Sequence, residues 1–169
     1  MSVLRSKQAR RNVVEDQKGG VFVEHLVAFM PTFFFFMCTF QMSELYAGRL
    51  ATDHAAAAAV RAAAVVLPDD PKFYGGEPIN TPGEKRTNAV RIAAIRAMAP
   101  LVYDQNIEDV KVDLGAGTTA IAPNAPITVT VTATFKCKVA LTQLVVCSGG
   151  RRTLVSKGTL PNQAARFTY

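Results

Sequence analysis

Gly19-Gly20-Val21-Phe22-Val23-Glu24 is the point where a basic, polar leader meets a long apolar run. From Gly20 to Met42 the only formal charge is Glu24, a few residues inside the apolar segment. A carboxylate in hydrocarbon is costly, so Glu24 is expected to have a partner and a function. Upstream, Arg5, Lys7, Arg10, Arg11 and Lys18 outnumber Glu15 and Asp16, a flank that the positive-inside rule keeps in the cytoplasm.

A removed secretory signal has an apolar core of roughly 7–15 residues that ends at small residues. Here the run reaches Gln41-Met42-Ser43-Glu44-Leu45-Tyr46 with no Ala-x-Ala exit. Its ~22 residues match the ~20 that cross a bilayer as helix. The pair Arg10-Arg11 is not followed by an apolar stretch, which weakens a twin-arginine address. Residues 20–42 therefore read as a retained transmembrane helix.

That helix does not stop at the membrane. No proline lies between Pro31 and Pro68, and residues 55–64 are dominated by alanine, the best helix former. One helix from Gly20 to Leu67 is expected, about 70 Å long at about 1.5 Å per residue. Its first half is membrane-embedded and residues 43–67 form a stalk. Pro31 removes a backbone donor and is expected to kink or locally melt the span.

These residues resemble the TadE/TadF-like minor pilins (pseudopilins) of the tight adherence type IV pilus system. That pattern is a basic leader, a glycine, four mostly apolar residues, a glutamate and an apolar helix. Ala57-Ala58-Ala59-Val60-Arg61-Ala62-Ala63-Ala64 is similar to the stretch that follows the anchor in such chains, and Leu160-Pro161-Asn162-Gln163-Ala164-Ala165 looks familiar from them too. The likeness is specific over residues 18–67 and diffuse afterwards. It implies a leader of residues 1–19 removed by a prepilin peptidase after Gly19, so that Gly20 becomes the N-terminus and Glu24 the fifth residue. A cut after Gly20 would make Glu24 fourth. His25 departs from the aromatic or apolar residue common there.

The resemblance also implies partners: the peptidase, other pilins and an inner-membrane assembly platform. It implies a single-pass protein of the bacterial inner membrane with a periplasmic C-terminal domain, incorporated into a pilus or related secretion machine. In such assemblies the glutamate meets a neighbour's free amino group, and pairing the two charges spares each an isolated place in low dielectric. The bland account of Glu24 is that it snorkels to the nearby cytoplasmic interface. The second functional account is an unprocessed single-span protein whose periplasmic domain binds a ligand or partner.

Residues 68–169 are expected to form one periplasmic α+β domain. Lys and Arg number 19 against 13 Asp and Glu, but the leader supplies half of the net +6, and no dense basic patch remains for a nucleic acid. Pro68-Asp69-Asp70-Pro71 breaks the stalk. Thr81-Pro82-Gly83-Glu84 reads as a helix start with Thr81 as cap and Glu84 completing a capping box. That one additional helix would run from Pro82 to Ala99, with Val90, Ala93, Ala94 and Ala97 as its apolar stripe and Arg86, Arg91 and Arg96 as wet edges. Period-two alternation from Ile127 to Val139 marks a strand with one buried face, carrying Val129, Val131 and Phe135. Further strands are expected at Asp109–Leu114 and Arg152–Lys157. The fold class is pilin-like α+β, with the stalk covering a small antiparallel sheet.

No active site is legible. His25 lies in the span and His54 on the stalk, neither at a metal-site spacing, so no metal or cofactor is expected. Gly115-x-Gly117 lacks the third glycine and acidic partner of a dinucleotide fingerprint and reads as a turn. Asp69-Asp70 reads as a helix-terminating loop. Cys38 is apolar filler in the span. Cys137 and Cys147, ten positions apart in a compartment that permits disulfides, fit either a bond or two buried thiols.

Overall fold

The computed structural model describes residues 20–162, apart from residues 116, 118, 123, 124, 140, 141 and 144. The leader, Gly19 and residues 163–165 lie outside the described residues. Helix α1 (Gly20–Val66) is one unbroken element. Pro31 sits within it without melting it, because a proline costs one hydrogen bond while its neighbours keep theirs. The Thr32 hydroxyl also donates to the Ala28 carbonyl one turn back, at 3.2 Å. Such side-chain bonds help a proline-containing span to persist.

Burial begins at Gln41 and then recurs at helical spacing: Gly48, Thr52, Ala55, Ala56, Ala59, Val60 and Ala63. This small-residue stripe lets the stalk settle closely on a sheet of three antiparallel strands in the order β1-β2-β3. They are β1 (Ile107–Asp113), β2 (Pro126–Lys136) and β3 (Arg151–Pro161). On β2 the alternation is realised residue by residue: Ile127, Val129, Val131, Ala133 and Phe135 have no exposed surface, and the threonines between them are half-buried. Phe135 packs against Gly48, where a Cβ would approach its ring to 2.9 Å.

Three expectations need correction. The first concerns the additional helix, which is in fact two: α2 (Glu84–Ala97) and the short α3 (Ala99–Tyr103). Pro100 ends the first by opening the second, since a proline is tolerated in a first helical turn. The second concerns the cap. Gly83, not Thr81, is the N-cap residue, and it offers no side chain. The donors go instead to Glu77, whose carboxylate accepts from the amides of Lys85 (2.8 Å) and Arg86 (3.2 Å). A Cβ at Gly83 would collide with that carboxylate, so the glycine admits a cap from the preceding loop.

The third is Arg86. It is no wet edge: it is wholly buried, in line with Val90, Ala94 and Met98 on the face of α2 that meets α1 and β1. Arg91 fits the expectation better, remaining exposed while its Nε donates to the Val110 carbonyl at 2.8 Å along β1.

Candidate functional site

The first half of α1 stands alone. Every residue from Gly20 to Thr32 is exposed, and the phenylalanine-rich turn that follows is only partly covered by its own helix. Phe35 has 74% of its surface free and Val21 72%. In water such a cylinder would be heavily penalised, whereas in hydrocarbon it is at home. The helix is long and apolar enough to cross a membrane, and its most apolar stretch has no cover from the rest of the protein.

On this cylinder Gly20 is the first described residue and Glu24 lies one turn on, about 6 Å along the axis. Among the described residues Glu24 has no hydrogen-bond or salt-bridge partner. His25 stacks on Phe29, with ring centroids 6.1 Å apart.

Where the bare cylinder ends, the outer domain closes on it. Gln41, read from sequence as part of the span, is fully buried. Its Oε1 accepts the Val139 amide at 3.2 Å. Val139 was expected to end the strand, but β2 stops at Lys136 and Val139 lies three residues beyond it, in a segment bridged by the Cys137–Cys147 disulfide, both cysteines being buried. The bridged loop is internally bonded: Gln143 Nε2 donates to the Cys137 carbonyl, and Val145 and Val146 donate to Thr142. Cys38 is a free thiol on the helix, three residues below Gln41. The uncovered part of the helix thus ends within a turn of Phe40.

At the opposite end of the stalk the last carbonyls of α1 need donors. Arg86 supplies them. Its Nη1 donates to the carbonyls of Val66 and Leu67, and its Nη2 to those of Asp69 (2.9 Å) and Glu77 (3.2 Å). A guanidinium at a helix C-terminus also meets the negative end of the helix dipole. Its plane lies over the Tyr74 ring, 4.4 Å from the centroid. The Tyr74 hydroxyl in turn donates to Asp69 Oδ2. Burial first, then that hydrogen bond and the Asp69 charge, raise the Tyr74 pKa above its ordinary 10.0, while Arg86 pulls it down.

This knot also disposes of Asp69-Asp70 as a cation pair. Asp69 Oδ1 accepts the Asp70 amide and Asp70 Oδ1 the Lys72 amide, so both act as turn caps. Gly115 and Gly117 have positive φ in the β1–β2 turn, where Asp113 accepts the Gly115 amide. Among the described residues no three His, Cys, Asp or Glu gather into a metal-binding group. Sequence reasoning missed Gln41 and Arg86; the signal for Gln41 was a polar residue at the last turn of an apolar run. Comparison with protein-family models, with curated proteins and with solved structures finds no match for this chain.

Proposed function

We propose that this chain is a minor pilin or pseudopilin of a tight-adherence-type pilus or related secretion machine. In this reading it is a substrate of a membrane prepilin peptidase and performs no chemistry of its own. One observation carries the proposal: a single helix is bare and apolar over its first half, with an unpartnered acid at Glu24, and becomes the core of an α+β domain over its second half. That arrangement lets one element do two jobs. Its membrane half packs among copies and relatives, and its stalk half holds the outer domain rigidly in register with them.

Glu24 has the central role. A carboxylate one turn from a newly exposed amino terminus cannot comfortably fold back on its own helix, so its counter-ion is the amino terminus of a neighbour. Deleting the acid leaves that neighbour's charge stranded in low dielectric. Glu24→Ala is therefore expected to insert into the inner membrane at least as well as the wild type, since a buried charge is removed. It should lose its crosslinks to partner pilins when expressed with them. Unchanged crosslinking would contradict the role and favour the unprocessed single-span reading.

A further inference from the structure

The geometry points to a second membrane contact: the anchor-proximal end of the outer domain is a docking surface for anionic lipid headgroups. This rests on the reading of residues 20–42 as a membrane span. Gln41 marks the end of the bare helix, and the disulfide-bridged loop grips it directly through Val139. Descending α1 from Gly48 to Gln41 follows β2 from Phe135 to Val139, so this end of the sheet faces the bilayer.

What lies there fits an interface. Val145 of the loop is 70% exposed, and Tyr103, at the end of α3, is 89% exposed. The Asp104 carbonyl next to Tyr103 accepts from Lys138 Nζ at 2.6 Å, which brings the two segments together. Four cations share this end: Lys136, Lys138, Arg151 and Arg152. Glu108 pairs with Lys136 and Arg151. Lys138 and Arg152 bond only to carbonyls, those of Asp104 and Val146, and among the described residues neither has a carboxylate partner. An exposed aromatic, an exposed aliphatic and cations held in no ion pair, beside a membrane exit, are the mixture that headgroup regions attract.

A second copy of the chain would need an acidic counterpart; the acids at this end are Glu44, one turn from Gln41 on α1, with Asp104 and Glu108, the last already paired, against the four cations Lys136, Lys138, Arg151 and Arg152. A negatively charged bilayer supplies that counterpart continuously, at the depth where Gln41 already sits.

The test uses the full chain with Cys38→Ala, leaving the disulfide intact, reconstituted in phosphatidylcholine bilayers with and without phosphatidylglycerol. Single cysteines at Phe35, Val145 and Lys72 carry an environment-sensitive fluorophore, and lipids nitroxide-labelled near the headgroup or along the chain act as quenchers. The Lys72 site follows the far end of α1, which lies roughly 37 Å up the axis from Gln41. The Phe35 probe should be quenched by chain-labelled lipid, the Val145 probe by headgroup-labelled lipid, and the Lys72 probe by neither. Replacing Lys138 and Arg152 with Gln should lower the ratio of lipid-contacting to free Val145 probe roughly fivefold per charge, only where phosphatidylglycerol is present. Quenching at Phe35 without quenching at Val145 overturns the docking surface and leaves the span intact. Shielding of Val145 from aqueous iodide without lipid quenching means that protein covers this end, and also overturns it. No quenching at Phe35 refutes the span on which the proposal rests.

Discussion

Gly158 of β3 and Ala56 of the stalk meet backbone to backbone: a Cβ on Gly158 would stand 2.7 Å from the Ala56 carbonyl oxygen and 3.0 Å from a Val60 methyl. A carbonyl in mid-helix cannot step aside, so the glycine sets how closely stalk and sheet approach. Gly158→Ala is expected to destabilise the outer domain by about 1–3 kcal/mol through overpacking. Ser156→Ala, one pleat away, should change stability little. Thermal melts of the full-length protein in detergent check this, and equal effects at the two positions would contradict the close approach.

Arg86 should tolerate no conservative exchange. Lysine carries the charge but not the planar fork that reaches carbonyls on two sides. Arg86→Lys is expected to cost about 2 kcal/mol and Arg86→Ala more, as each buried acceptor left without a donor costs about 1–3 kcal/mol. Denaturant unfolding of both variants measures it. An Arg86→Lys protein as stable as the wild type would mean that the carbonyls find other donors.

Tyr74 gives the fold an alkaline weakness. Its pKa is raised in the folded state, chiefly by burial and by Asp69. Its stability contribution is therefore fully present below the unfolded value of 10.0 and is lost as pH rises through the folded value. The difference in melting temperature between wild type and Tyr74→Phe should hold steady below pH 10 and change above it, as the wild type loses stability the variant keeps. A pH-independent difference would contradict the assignment.

Those residues also mark what the sequence could and could not disclose. The long helix and most of β2 were readable because each depends on its own composition: an unbroken apolar-to-alanine run, and a strict alternation that continues to Val139 although the paired strand ends at Lys136. β3 runs from Arg151 to Pro161, beyond the expected Lys157, because Lys157-Gly158-Thr159 interrupts the apolar alternation that announces a strand. The interruption is itself structural, since the stalk leaves no room there for a side chain. Arg86 was illegible for a related reason: a base on a helix normally faces water. Only the meeting of the α1 terminus with the first turn of α2 creates a set of carbonyls that needs it. The cap behaves likewise, as Glu77 is six residues upstream of its N-cap glycine and no local pattern joins them. In the candidate site, Glu24 and the pair Cys137 and Cys147 were visible as chemically unusual residues, whereas the clamp on Gln41 depends on contact between residues 98 positions apart.

The central claim is that the chain is a processed pilin-like subunit, and the most direct measurement is the intact mass of the protein extracted from membranes, alongside Gly19→Ala. The account predicts loss of residues 1–19, so that Gly20 is the first residue and Glu24 the fifth. Because the peptidase needs close backbone approach at the glycine, Gly19→Ala should accumulate as the full-length basic precursor. An assembled, functional protein that still carries its complete leader would contradict the claim.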